Sequence, residues 1–114
     1  MDSKLLAKNI KEAADDKKAQ DILILDISEI SPITDYFVIC SAQNKIQVKA
    51  IADNIEEKIQ KEGILMLHKE GYNESLWTLL DYGDVVVHIF TQTEREFYSL
   101  EKLWSDAKKV TFDD

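Results

Sequence analysis

The chain has 114 residues, 45% of them hydrophobic, which predicts one compact domain spanning 1–114. Its 22 acidic residues outnumber 14 basic ones, so the formal net charge is −8 and direct binding to the phosphates of DNA or RNA is not expected. The single cysteine, Cys40, excludes an intrachain disulfide and is typical of a cytoplasmic protein. The N-terminal residues mix charges throughout and predict neither a signal peptide nor a membrane span.

The first part of the chain predicts one helix and two strands. After a cap at Asp2 or Ser3, apolar residues recur at helical spacing to about Lys18. The runs DILILDIS at 21–28 and YFVICS at 36–41 are short, apolar and rich in β-forming residues. We therefore expect both runs to be strands of a sheet that the helix covers.

The second part predicts a long helix, three strands and a final helix. Residues 44–62 carry one apolar stripe at helical spacing, and the weaker apolar run ILMLH at 64–68 predicts a strand. LWTLL at 76–80 and DVVVHIF at 84–90 predict a hairpin, and Thr93 is a suitable cap for the final helix. The order α-β-β-α-β-β-β-α predicts an α/β fold, with a mixed β-sheet and flanking helices.

The hairpin turn has two alternatives at this stage. A two-residue loop at 82–83 places Trp77 opposite His88, whereas a three-residue loop at 81–83 places Trp77 opposite the preceding valine. The longer loop is favoured, because tyrosine resists the positive φ that the shorter one requires of it. In both, the ring of Tyr82 stands at the tip of the turn with an acid on each side.

The hairpin region is locally acidic. No lysine or arginine occurs between Lys69 and Arg95, and the acids in this stretch are Glu70, Glu74, Asp81, Asp84 and Glu94. An exposed aromatic side chain inside a charged rim is typical of a protein-binding hot spot, so the region predicts a basic protein partner. The alternative, in which Trp77 belongs to the core and the acids only solubilise the chain, stays open.

No pattern in the sequence predicts a catalytic residue, a metal site or a cofactor. His68, His88 and Cys40 lack the close pairing of zinc ligands, and the chain has no phosphate-binding loop or nucleophile elbow. His88 lies inside a strand and is expected to be a partly buried histidine held by a hydrogen bond. Cys40 is expected to act as a small hydrophobic residue.

Three segments resemble, in order and spacing, the ribosomal silencing factor family (RsfS, also called Iojap or YbeB): ITDYFVICSAQNKIQVKAIADNIEEKI, LWTLLDYGDVVVHIF and REFYSLEKLWSDA. The resemblance covers nearly the whole chain. It implies a nucleotidyltransferase-like fold that lacks the catalytic carboxylates of those enzymes. It also implies binding to a basic protein on the inter-subunit face of the large ribosomal subunit, which blocks joining of the small subunit and represses translation. Members of the family tend to form homodimers when free.

The resemblance further implies which residues bind the partner: Trp77, Leu79, Asp81, Tyr82 and Asp84, with Tyr98 and Glu101 from the C-terminal helix. The aspartates would face basic side chains of the ribosomal protein, while the aromatic rings would supply buried apolar area. Two alternatives are kept. One is a nucleotidyltransferase-like enzyme, on fold resemblance alone, and the other is a ribosome assembly factor with Trp104 and Phe112 as dimer contacts.

Overall fold

The computed structural model describes residues 2–112. Its helices are α1 (Ser3–Asp15), α2 (Lys45–Lys61), α3 (Gln92–Tyr98) and α4 (Leu100–Leu103). Its strands are β1 (Gln20–Asp26), β2 (Tyr36–Ala42), β3 (His68–Glu70), β4 (Trp77–Asp81), β5 (Val85–Thr91) and β6 (Lys108–Val110). They form one sheet in the order β3-β4-β5-β2-β1-β6, in which β2 and β5 are parallel and the other neighbours antiparallel. The predicted α/β fold with a mixed sheet is confirmed.

Both long helices begin after capping residues and cover one face of the sheet, called the helix face below. Asp2 Oδ1 accepts a hydrogen bond from Leu5 N–H at 2.8 Å, and Asn44 Oδ1 accepts one from Gln47 N–H at 2.9 Å. The apolar stripes of α1 and α2 are buried against the strands in the main core cluster. Each fully buried aliphatic side chain there stabilises the fold by about 1.5 to 3 kcal/mol. Among residues 2–112, no helix has the length and apolarity needed to cross a membrane.

The opposite face of the sheet carries a second, smaller cluster and is called the aromatic face. Its strand side chains include Phe37, Trp77, Leu79, His88 and Phe90. The C-terminal segment, α3 and α4 with the residues that follow, covers only part of this face. Apolar side chains of β4 therefore remain partly open to solvent.

The hairpin turn differs from both predicted loops. Trp77 lies opposite Phe90, because Gly83 and Asp84 form the turn. Gly83 has φ +87°, and Asp84 N–H donates to the carbonyl oxygen of Tyr82 at 3.2 Å. This tight turn needs a left-handed residue, which glycine supplies without steric cost. Tyr82 consequently continues the alternation of β4, and both predicted registers are wrong.

Two further elements differ from the sequence prediction. The strand expected at 64–68 is wrong over most of its length, since β3 begins only at His68. Ile64 and Met66 instead pack against the main core in an extended connection. The short edge strand β6 was not predicted, because its largely charged residues gain strand conformation only by pairing with β1.

The C-terminal helix is interrupted, although the sequence predicted one helix starting at Thr93. Its N-cap is Thr91, two residues before the predicted cap, and it breaks at Ser99, whose φ of 47° is left-handed. The break alters which side chains face the sheet: Phe97 and Leu103 are each 77% exposed, whereas Trp104 packs on the aromatic face. The apolar side chains of this segment therefore do not share one buried face.

Candidate partner-binding site

Strand β4 brings three of the predicted partner-binding residues together. Trp77, Leu79 and Asp81 are partly exposed and lie on the aromatic face, while Thr78 and Leu80 between them are fully buried on the helix face. The alternation follows from the pleat of the strand. Trp77 and Leu79 thus form an open apolar surface next to a carboxylate.

Aromatic rings surround Trp77. The ring of Phe90 is stacked on it with 4.9 Å between centroids, and the ring of Tyr98 lies against it at 4.7 Å with an interplanar angle of 49°. Tyr98 is 45% exposed, and the exposed ring of Phe97 packs edge-on against it at 5.0 Å. Ring pairs of this kind contribute about 0.5 to 1.5 kcal/mol beyond their buried area. The structure therefore joins Tyr98 of α3 to the surface of β4.

His88 lies beneath this surface and is bonded to the tryptophan. Trp77 Nε1–H donates to His88 Nδ1 at 3.1 Å, and the imidazole is only 5% exposed. The sequence-based expectation of a buried, hydrogen-bonded histidine is confirmed. Burial disfavours the charged imidazolium and lowers the pKa of His88 to about 4. His88 is therefore neutral at physiological pH.

Acidic side chains border the open apolar surface at the hairpin turn and along β3. Asp84 is exposed in the turn, and Asp81 Oδ1 accepts a hydrogen bond from Gly83 N–H at 2.8 Å. Glu70 of β3 lies opposite Leu79 and so shares its face of the sheet. We refer to Glu70, Asp81 and Asp84 as the acidic rim. Since residues 70–94 contain no lysine or arginine, no basic side chain within that stretch neutralises it.

Two predicted partner-binding residues are placed differently. Tyr82 is 7% exposed and packs in the main core on the helix face, so the expectation of an exposed ring at the tip of the turn is wrong. Burial raises its pKa to about 12. Glu101 is engaged within the chain, because its Oε2 accepts a hydrogen bond from Arg95 Nε at 2.9 Å.

Arg95 is a structural residue of the site that the sequence did not reveal. Its side chain is 12% exposed and bridges α3 to the sheet: it donates to the carbonyl oxygen of Asp21 at 2.7 Å and to Ser41 Oγ at 3.2 Å. Together with the ion pair to Glu101, these bonds fix the segment that carries Tyr98. The only feature of the sequence that could have indicated this role is that Arg95 is the first basic residue after 70–94, a stretch with acids but no lysine or arginine.

Of the residues considered for other roles, Cys40 is fully buried, whereas Trp104 and Phe112 are partly buried. The pKa of the Cys40 thiol is raised to about 12 by burial, so the thiol stays protonated. The ring of Trp104 packs edge-on against Phe37 at 5.2 Å, and Phe112 packs against the main core. In residues 2–112, His, Cys, Asp and Glu side chains form no group of three or more that could hold a metal ion.

Comparison with known proteins assigns the family. A family model described as "Ribosomal silencing factor during starvation" matches residues 1–114. The ribosomal silencing factor RsfS of Bacillus subtilis is 46% identical over 113 residues, which cover 99% of this chain and 96% of that protein. The protein Iojap of Zea mays, a chloroplastic protein, is 35% identical over 104 residues, or 91% of this chain and 45% of its own length.

Solved structures agree with the sequence relatives. A crystal structure of a protein from Chromobacterium violaceum has a TM-score of 0.91 at 32% identity and covers all of this chain and 94% of its own. Another, from Bacillus halodurans, has a TM-score of 0.85 at 40% identity and covers 97% of this chain and 100% of its own. With the family match and these likenesses, the chain belongs to the ribosomal silencing factor (RsfS) family.

Proposed function

We propose that this chain represses translation in the cytoplasm by binding a basic protein on the inter-subunit face of the large ribosomal subunit and blocking joining of the small subunit. The observation that carries the proposal is the pairing of an open apolar surface, Trp77 and Leu79, with the acidic rim on one face of the sheet. Membership of a family described as a ribosomal silencing factor supports the ribosome as the partner.

The two parts of the surface would act differently in binding. Trp77 and Leu79 would lose their remaining contact with water, and tryptophan at the centre of an interface commonly contributes about 2 kcal/mol or more. The acidic rim and the net charge of −8 would speed the encounter with a basic surface and fix its orientation. Affinity would therefore depend mainly on the apolar side chains, and the association rate mainly on the carboxylates.

The size of the fold supports a steric mechanism. A typical specific interface buries about 800 Å² on each partner, which is about an eighth of the 6613 Å² surface of this chain. The body measures 33 × 33 × 29 Å, so most of it would protrude from the large subunit. A second subunit that approaches the same face would collide with it, and no chemical step is required.

The binding surface is tested by one substitution and a matched control. Leu79→Arg places a cation and a longer side chain in the open apolar surface beside Trp77. We expect it to abolish co-sedimentation with purified large subunits. Leu65→Arg is the control, because Leu65 is 79% exposed and lies in the connection next to α2, outside the proposed surface. Equal binding by the two folded variants would contradict the proposed surface.

The mechanism is tested by mixing purified small and large subunits with the protein. We expect the fraction of joined ribosomes, measured by light scattering, to fall as the protein is added, and Leu79→Arg to have no effect. An unchanged joined fraction at saturating protein would refute steric blocking. Saturable binding of a nucleoside triphosphate with magnesium would instead favour an enzyme.

We also propose that the free protein forms a homodimer, as the resemblance implies. The open apolar surface is the candidate contact, because Trp77 and Leu79 lie side by side and partly exposed on one face of β4. Leu79→Arg should then shift the sedimentation coefficient of the free protein to that of a monomer. A dimer that persists in this variant would place the contact elsewhere.

A further inference from the structure

The hydrogen bond between His88 and Trp77 lies at the centre of the proposed surface. Trp77 is partly exposed, whereas His88 behind it is 5% exposed. Phe37 packs edge-on against the imidazole with 4.8 Å between centroids. The imidazole is therefore clamped by its neighbours on β2 and β4, and its Nδ1 is held in a fixed position.

We propose that His88 is a positioning residue for recognition: its neutral imidazole, with the proton on Nε2, holds the indole of Trp77 in the orientation that meets the partner. The inference rests on the proposed function, because it takes Trp77 as a partner-binding residue. It assigns to the histidine a role in binding that needs no contact between His88 and the partner.

The protonation state follows from the geometry. Nδ1 accepts the hydrogen bond from Trp77 Nε1–H, so Nδ1 carries a lone pair and the proton of the neutral ring is on Nε2. Within residues 2–112, Nε2 is buried and has no hydrogen-bond partner. If Nδ1 carried the proton, it and Trp77 Nε1–H would both be donors, and no hydrogen bond could form between them. Burial favours the neutral ring that the bond requires.

The hydrogen bond is the directional contact that selects one orientation of the indole. Phe90 stacks on the indole and the tilted ring of Tyr98 packs beside it, and such apolar contacts tolerate rotation of the ring. The torsion that rotates an indole about its bond to Cβ has a broad energy profile, so packing alone fixes it weakly. Without an acceptor at Nδ1, the N–H would be left unpaired unless it turned toward water. The turned ring would present a different edge to the partner.

Two polar variants separate the roles of the two imidazole nitrogens. The side-chain oxygen of asparagine reaches about the position of Nδ1, whereas the amide of glutamine reaches about the position of Nε2. His88→Asn should preserve the bond to Trp77, and His88→Gln should lose it. The measurement is solvent exchange of the Trp77 indole proton by NMR, with the signal assigned by its disappearance in Trp77→Phe. We expect exchange about tenfold faster in His88→Gln, and close to the unsubstituted rate in His88→Asn.

The effect on recognition is measured by binding to purified large subunits in a double-mutant cycle. His88→Gln should raise the Kd about tenfold when position 77 is Trp, and less than about twofold in the Trp77→Phe background. His88→Asn should stay within about threefold of the unsubstituted protein. His88→Leu, which also lacks the acceptor, replaces His88→Gln if the latter fails to fold.

Each outcome decides a different point. Equal indole exchange in His88→Gln and His88→Asn would overturn the hydrogen-bond assignment. A Kd rise of the same size in both backgrounds would show that His88 acts on the fold and not through Trp77, and would overturn the positioning role. A further outcome is that the unsubstituted protein fails to bind large subunits although indole exchange in the His88 variants changes as expected. In that case the hydrogen bond stands, but the proposed function fails, and the role of His88 in recognition fails with it.

Discussion

The stability of the protein should fall between neutral and mildly acidic pH because of His88. Burial lowers its pKa from 6.5 to about 4. In the unfolded chain the imidazole binds a proton below 6.5, whereas the folded imidazole stays neutral until about pH 4, so acid favours the unfolded state. The contribution is fully present above 6.5 and is lost as the pH falls toward 4.

The size of the effect follows from the two pKa values. The difference between 6.5 and about 4 corresponds to about 3 kcal/mol in total. About 2 kcal/mol of this would be lost between about pH 7 and about pH 5. Two carboxylates act in a lower window: the pKa of Asp16, hydrogen-bonded to Lys58, and that of Asp26, hydrogen-bonded to Ser28, are both below 3.8. The two carboxylates therefore keep their contributions to the free energy of unfolding until the pH falls below 3.8.

Urea unfolding followed by far-ultraviolet circular dichroism gives the free energy of unfolding at each pH. His88→Asn is the control, since asparagine does not titrate and keeps an acceptor for Trp77. We expect the unsubstituted protein to lose about 2 kcal/mol relative to this variant between about pH 7 and about pH 5. Parallel curves for the two proteins across that range would refute the reasoning, because the pH dependence would then come from other groups.

Two other predictions concern the acidic rim and the start of β4. Asp84→Lys should slow association with large subunits and weaken the salt dependence of the association rate, measured by stopped-flow mixing. The control Glu57→Lys on α2 should change neither quantity much. Equal slowing in the two variants would show that the acidic rim has no special part in association. Gly71→Ala should destabilise the fold in urea by about 2 to 4 kcal/mol, because φ is +74° and the new Cβ would lie 2.1 Å from the carbonyl oxygen of Trp77. Gly63→Ala, with φ +82° and nothing within 4 Å, should cost only about 1 kcal/mol, and equal losses would contradict the predicted clash.

The sequence by itself determined the elements whose pattern is local. The apolar stripe of α2 and its cap at Asn44 were readable because helix periodicity and capping involve residues within one or two turns. The buried strands β2 and β5 were readable as continuous apolar runs. The acidity around the hairpin was also evident, since it depends only on composition. These features led to the α/β fold and to a surface near β4.

The tertiary structure alone decided which side chains reach that surface. Moving the turn to Gly83 and Asp84 sends Tyr82 to the helix face and places Trp77 opposite Phe90. The candidate turns differ little in local free energy. Burying the ring of Tyr82 in the core stabilises one register by more than that difference, and so selects it. The break at Ser99, the pairing of β6 with β1 and the buried bonds of Arg95 likewise depend on neighbours distant in sequence. Local patterns specified the strands and helices, but their mutual contacts selected the register, because burial is shared by residues far apart in the chain.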